Sequence, residues 1–287
     1  MAQEPLKSLL PKFIADLEEK GRSPSTILAY RADIEQLIDH LQGKSIILPD
    51  QVKAQDIEGF RDTLLSQKYT PKSASRKLNA VKTFFRWMAS EKHVSKDTSV
   101  NVAHPKIEVS IPKFLTPMEY RALRDVVRDD IRIAAIIELI LQTGMRISEV
   151  ANLKLENVND SSITIEAYAS QPKRKIPLNK PAKVSLDEYL KDRPATDSPY
   201  VFVSKNGNPL AVRNIRAAID RFMQRAEIPD YSVNDLRTTF IVENLKAGVD
   251  LILLSHIVGH KRLSTTERYL ELAEIKDSGK NQELVEL

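Results

Sequence analysis

Residues 131–149 read I-R-I-A-A-I-I-E-L-I-L-Q-T-G-M-R-I-S-E. Ile133, Ile136, Ile137, Ile140 and Leu141 recur at three- and four-residue spacing, and only Arg132 and Glu138 interrupt the apolar run 131–141. That pattern predicts a helix buried in a domain core. The run is too short to cross a bilayer, which takes about 20 apolar residues. Gly144 is placed to end the helix in a left-handed C-cap. Arg146 then falls at a tight turn, two residues before Ser148, the expected cap of a new helix. Glu149 is close enough to orient the guanidinium, and taken alone the two would read as a structural ion pair.

A helix this apolar needs partners, and upstream the chain supplies helices. Leu6, Leu9, Leu10, Phe13, Ile14 and Leu17 predict an amphipathic helix ended at Gly21. Ser23 before Pro24 reads as N-cap and first helical residue of a second, striped by Ile27, Tyr30, Ile34, Leu37, Ile38 and Leu41. Ile57, Phe60, Leu64 and Leu65 mark a third, and Leu78, Val81, Phe84, Phe85 and Met88 a fourth. Residues 1–103 therefore read as a helical bundle. Its fourth helix carries Lys72, Arg76, Lys77, Lys82 and Arg86 between Pro71 and Ser90 with no acid among them. A cationic helix can be merely a solvated face. The absence of compensating acids favours contact with nucleic-acid phosphates and base edges, since a helix fits the major groove. Trp87 reads as core.

Residues 104–113, H-P-K-I-E-V-S-I-P-K, have prolines near both ends and no helical period, so they read as an extended linker. Two domains joined in this way can close around a duplex as a clamp. The second domain, 114–287, opens on T-P-M-E at 116–119, a capping box with proline at the first helical position. Within 155–178, Ile163 with Ile165 and Ile176 with Leu178 alternate with polar positions, predicting a short antiparallel strand pair. Helical patterns return at 180–190, Val212–Arg225 and 234–247, the last ended by Gly248. Arg213 and Arg216 face phosphates or plain solvent. The fold class predicted is mainly α: an N-terminal helical bundle, then a mostly helical domain with a small antiparallel sheet.

Three later motifs complete a chemical set with Arg146: N-D-L-R at 234–237, V-G-H at 258–260 and T-T-E-R-Y-L at 265–270. Together they offer one phenol, Tyr269, two arginines, Arg146 and Arg237, and one histidine, His260. A tyrosine with the usual pKa of about 10 is a poor nucleophile. It suits a phosphodiester, where catalysis rests on positioning and on cations around the equatorial oxygens. Guanidiniums fit that task because each is a planar fork of donors that stays charged. The set points to DNA strand cleavage and rejoining through a phosphotyrosine. His256 lies one turn before His260, but no carboxylate or cysteine cluster completes a metal site. Neither metal nor cofactor is expected.

On these motifs the chain resembles the tyrosine recombinases of the Xer/phage-integrase family over roughly residues 6–271. The family's boxes T-G-x-R-x-S-E, H-x-L-R and L-G-H fall on Arg146 with Glu149, on Arg237 and on His260, and Tyr269 follows nine residues after that histidine. The resemblance implies a SAM-like N-terminal domain that grips DNA opposite the catalytic one, and a 3′-phosphotyrosine intermediate. It also implies four protomers cleaving two at a time through a Holliday junction. Asn234 stands where the family has histidine; it can donate to a phosphate oxygen but cannot accept a proton. In the family a hairpin lysine protonates the 5′-hydroxyl leaving group, within G-K-G-x-K-x-R-x-V-P-L. Aligned on Pro177 and Leu178, that lysine falls on Ala169, which leaves Lys173 as nearest candidate with Lys175 behind it. Both could equally be exposed strand residues touching the DNA backbone. A C-terminal segment such as 271–287 docks on a neighbouring protomer in the family, or frays. The alternatives are a binding-only relative with impaired chemistry, a type IB topoisomerase-like relaxer, and a helical regulator using its basic helix alone.

Composition sets the outer bounds. The 287 residues are 29% charged and 42% apolar, an ordinary globular balance with room for two cores. A net charge of +4 and a pI near 9.0 permit a nucleic-acid partner without demanding one. With no cysteine, disulfides, thiolate metal sites and cysteine nucleophiles are excluded. Glu4, Lys7, Lys12 and Asp16 break up the N-terminal apolar residues, so a signal peptide or membrane anchor is not expected and the reading is cytoplasmic. The partners expected are double-stranded DNA bearing recombination sites and further copies of the chain; an accessory protein and the target sequence are not read from the chain.

Overall fold

The computed structural model describes residues 4–108, 111–167 and 171–273, and by contact it divides into two compact units, Met1–Ser110 and Ile111–Leu287. Each has its own apolar core. In the first, α1 (Leu6–Glu19), α2 (Pro24–Gln42), α3 (Ala54–Ser66) and α4 (Pro71–Ser90) pack as a bundle. The six apolar residues read along α1 are all buried. Ser23 and Thr70 accept backbone N–H groups three residues on, at 3.3 and 3.2 Å, and proline follows each cap. Each cap satisfies a helix-end donor that has no partner within the helix. Phe13 sits between Phe84 and Trp87 at ring distances of 5.1 and 5.5 Å, which makes Trp87 a core residue at 7% exposure.

The reading of α4 as uncompensated is corrected by α2. Asp33, 2% exposed along its side chain, accepts Arg76 Nη1 and Nη2 at 2.5 and 2.9 Å and Lys77 Nζ at 2.8 Å. A buried carboxylate is tolerated only when paired, so these cations are the condition for Asp33 being inside. Lys77 is 11% exposed and is committed to that pair; Arg76 keeps half its side chain in solvent. Lys72 and Arg86 are exposed, and Lys82 donates to the Val100 carbonyl at 3.2 Å.

Residues 103–108 and 111–116 form neither helix nor strand. The start of this segment is fastened to the first unit: Arg61 donates to the Ala103 carbonyl at 2.9 Å, and His104 Nδ1 lies 3.0 Å from the Ser75 hydroxyl.

The second unit begins with α5 (Pro117–Val127), capped reciprocally by Thr116 and Glu119. Then come α6 (Ile131–Thr143) and α7 (Ile147–Ala151), and a sheet of β1 (Val158–Asn159), β2 (Ser162–Ile165) and β3 (Arg174–Pro177). The five helices after it are α8 (Lys180–Asp192), α9 (Val212–Arg225), α10 (Val233–Lys246), α11 (Leu251–Val258) and α12 (Ser264–Glu267). The sheet is antiparallel in the order β1-β2-β3, with Ile163 opposite Ile176 and Ile165 opposite Arg174. It holds three strands rather than the two read from sequence, because a two-residue strand is too short to alternate. α6 is the core helix, packed against α8 and α10. Gly144 ends it at φ +62, and a Cβ there would stand 2.5 Å from the Phe240 ring. Among the described residues no helix is long and apolar enough to cross a membrane.

Candidate active site

The site is built on the last turn of α11. A helix end leaves carbonyls without intrahelical partners, and α11 finishes in Gly259 at φ +67. Three guanidiniums cover its carbonyls. Arg174 Nε donates to Ile257 O at 2.8 Å; Arg146 Nη1 and Arg237 Nη2 donate to Val258 O at 3.2 and 2.6 Å; Arg146 Nη2 donates to Gly259 O at 2.7 Å. Arg237 Nη1 turns the other way and donates to the carbonyl of Gly144. Thus the glycine that ends α6 and the one that ends α11 both lend their carbonyls to the arginine cluster.

Glu149 fixes Arg146 from two directions. Its Oε2 accepts the Arg146 backbone N–H at 2.8 Å while Oε1 accepts Nη1 at 3.0 Å. Arg146, not Ser148, is therefore the N-cap residue of α7, with Glu149 three residues on as its box partner. Arg174 Nη2 adds a third bond to Glu149, 2.7 Å from Oε2. Burial alone would raise the Glu149 carboxyl; the bonds from Arg174 and from the Arg146 backbone outweigh it and hold the group below its usual range. Partial burial, followed by the like charge of Arg146, pushes Arg237 down to about 9. It stays cationic at neutral pH, but the cluster carries more positive charge than it can comfortably hold. An anion would relieve it.

His260 follows Gly259. Its Nδ1 is 2.8 Å from the hydroxyl of Thr266, a fully buried residue of α12, and its ring stacks on Tyr269 at 6.2 Å and 10°. Burial, then Arg237, Arg146 and Arg174, lowers the His260 pKa to about 4, so the imidazole is neutral at pH 7. When the Thr266 hydroxyl donates to Nδ1, Nε2 carries the proton and can donate in turn. Tyr269 is half-buried, its backbone N–H bonded to Thr266 O at 3.0 Å, and it lies near enough to act electrostatically on Arg237. Thr266 is therefore shared: it holds the imidazole with its side chain and the tyrosine with its backbone.

Among the described residues, the remaining candidates make no side-chain hydrogen bond to this cluster. Asn234 is exposed at the second position of α10, one turn before Arg237. Lys173 is exposed and pairs with Glu166 at 3.0 Å. Ala169 lies outside the described residues. Arg213 and Arg216 are exposed on α9. Sequence reasoning missed Arg174 and Thr266. Arg174 could have been found, because strand alternation places it on the same inward face as Ile176, and it stands where the quoted hairpin pattern has its arginine.

Comparison with known proteins adds to this geometry. The model of the phage integrase family matches residues 113–275, and that of the phage integrase N-terminal SAM-like domain matches residues 10–92. The chain is 29% identical over 280 residues to a tyrosine recombinase XerC of Oceanobacillus iheyensis, covering 92% of this chain and 91% of the relative. It is 30% identical over 273 residues to a tyrosine recombinase XerC of Anoxybacillus flavithermus, covering 90% of each. In fold it is similar to a lambda integrase tetramer bound to a Holliday junction, with a TM-score of 0.77 at 17% identity over 93% of this chain and 78% of that one.

Proposed function

The chain belongs to the phage integrase family, and we propose that it is a site-specific DNA recombinase that cuts and rejoins strands through Tyr269. The Tyr269 oxygen attacks a backbone phosphate in line; the bond from phosphorus to the 5′ oxygen breaks as the bond to the phenol oxygen forms. The phenol gives up its proton and the leaving 5′ oxygen gains one. The product is a 3′-phosphotyrosyl link with a free 5′-hydroxyl. A partner strand's 5′-hydroxyl then reverses the step, so the ester energy is kept and no nucleotide is consumed. Arg146 and Arg237 receive the charge that grows on the equatorial oxygens, and His260 donates from Nε2. Asn234 adds a neutral donor, and Lys173 or a substitute supplies the leaving-group proton. Duplex DNA is bound by copies of the chain acting as dimers and tetramers in the cytoplasm, with Lys72, Lys82, Arg86 and Arg213 on phosphates.

The observation that carries this reading is the gathering of two guanidiniums, an imidazole and a phenol around the end of α11. The test is a duplex nicked beside the scissile phosphate, so that the released fragment diffuses away. Wild type should accumulate a covalent adduct and Tyr269→Phe none. A second reading, a DNA-binding relative with impaired cleavage, is favoured by Asn234 standing in place of the family histidine. Binding to DNA with no adduct from either protein would select it.

A further inference from the structure

The cluster holds one guanidinium to which the mechanism gives no task. Arg174 is 8% exposed; its Nε is bonded to Ile257 O and its Nη2 to Glu149 Oε2, while Nη1 is buried with no hydrogen-bond partner. Leaving a buried charged donor unpaired costs stability, so Arg174 is not the side chain that packing alone would select. Gly259 is fitted to it. A Cβ at that position would lie 2.8 Å from Arg174 Cζ and 2.9 Å from Nη1, so the residue after α11 must be a glycine for the guanidinium as well as for its φ.

We infer that Arg174 is a positioning residue for strand cleavage, a clamp that joins β3 to Glu149 and to the end of α11 and so sets where Arg146 and Arg237 point. The inference rests on the proposed recombinase reading. The geometry assigns the clamp two arms. Through the first, Glu149 Oε2 is held between Arg174 and the Arg146 backbone, so the carboxylate cannot rotate and Oε1 presents a fixed face to Arg146 Nη1. Through the second, Ile257 O is fixed, and the next two carbonyls are those on which Arg146 and Arg237 rest. Without Arg174, Glu149 would face one arginine instead of two and could swing to turn both of its oxygens onto the Arg146 guanidinium, drawing that group off the phosphate. Displacements of about 1 Å in positioned groups can cost on the order of 10²-fold in rate.

Single-turnover cleavage of the nicked duplex at saturating protein, with DNA affinity and thermal melting measured alongside, tests the clamp. Arg174→Lys keeps the charge but can serve only one arm. It should bind DNA within about threefold of wild type yet cleave about 10–100-fold more slowly. Glu149→Gln, which leaves Arg174 on Ile257, is a second variant and should lose rate with affinity similarly unchanged. The double variant should be little slower than the slower single one, since both break the same contact. A purely structural Arg174 would lower the melting temperature and the fraction of protein that reacts, and leave the rate of the reacting fraction at wild type; that result overturns the inference. So do fully additive losses, or, should Arg174→Lys not fold, wild-type cleavage by Glu149→Gln. No adduct from wild type is a different failure and strikes the recombinase reading itself.

Discussion

The first unit and the second each gather basic side chains around one acid, to opposite ends. At Asp33 two cations meet one nearly inaccessible carboxylate, and the charge is spent on holding α2 against α4. At Glu149 two guanidiniums share the carboxylate, a third stands nearby, and most of their other bonds go to backbone carbonyls at the ends of α6 and α11. A carbonyl dipole orients a guanidinium without cancelling its charge. The Asp33 arrangement sets two cations against one acid, whereas the Glu149 arrangement sets three guanidiniums against one; burial first, and then this larger excess of positive charge, depresses Arg237 and His260. A basic residue is fit for anion chemistry when dipoles hold it, and fit for packing when an acid does.

The two clusters should differ most when their charged centres are changed. Arg237→Gln should lower single-turnover cleavage by on the order of 10³–10⁵ while the protein still folds and binds DNA, because only the transition state needs that charge. A loss below tenfold would place Arg237 with the packing arginines. Asp33→Asn should do the reverse. It removes the acid and leaves Lys77 buried without its counter-charge, costing about 3 kcal/mol in denaturant unfolding of the first unit, with the cleavage rate of folded protein unchanged.

A smaller effect is expected at the partner of His260. Thr266→Val removes the partner of Nδ1 and should slow cleavage about tenfold, the value of one hydrogen bond of roughly 1.4 kcal/mol. The pH dependence follows from the same histidine. Its folded pKa of about 4 lies below the usual 6.5, so between those values the unfolded chain binds the extra proton. Stability is thus lost as pH falls through this window and is unaffected by His260 above it. Denaturant midpoints from pH 7 to pH 4 check the sign, and His260→Gln should flatten the slope. A histidine titrating near its usual value in NMR would contradict it.

Helices were legible in the sequence wherever one local rule sufficed. The stripe from Leu6 to Leu17, the cap and proline at Ser23–Pro24, the box T-P-M-E and the glycine after Thr143 each act within one or two turns, and each is found. What stayed hidden acts across distance. The acid that pairs with Arg76 and Lys77 lies on another helix, more than forty residues upstream, so a window confined to α4 reads those cations as free. In the site, motif spacing identified Arg146, Arg237, His260 and Tyr269 as a set. It could not show that the two arginines are joined through the last carbonyls of α11, because a backbone oxygen leaves no mark in a sequence. Arg174 was half legible: alternation along β3 points it inward, but a charge on an inward face draws no attention until its partner Glu149 is seen.

In the proposed mechanism the cationic turn at the end of α11 holds one DNA phosphate against Tyr269. The decisive experiment is peptide mapping by mass spectrometry of the covalent complex formed on a nicked recombination site, prepared with a chelator present. A single phosphodeoxynucleotide-bearing peptide is expected, the one containing Tyr269, and it should disappear in Tyr269→Phe. DNA attached at any other residue, or DNA bound with nothing attached, would contradict it.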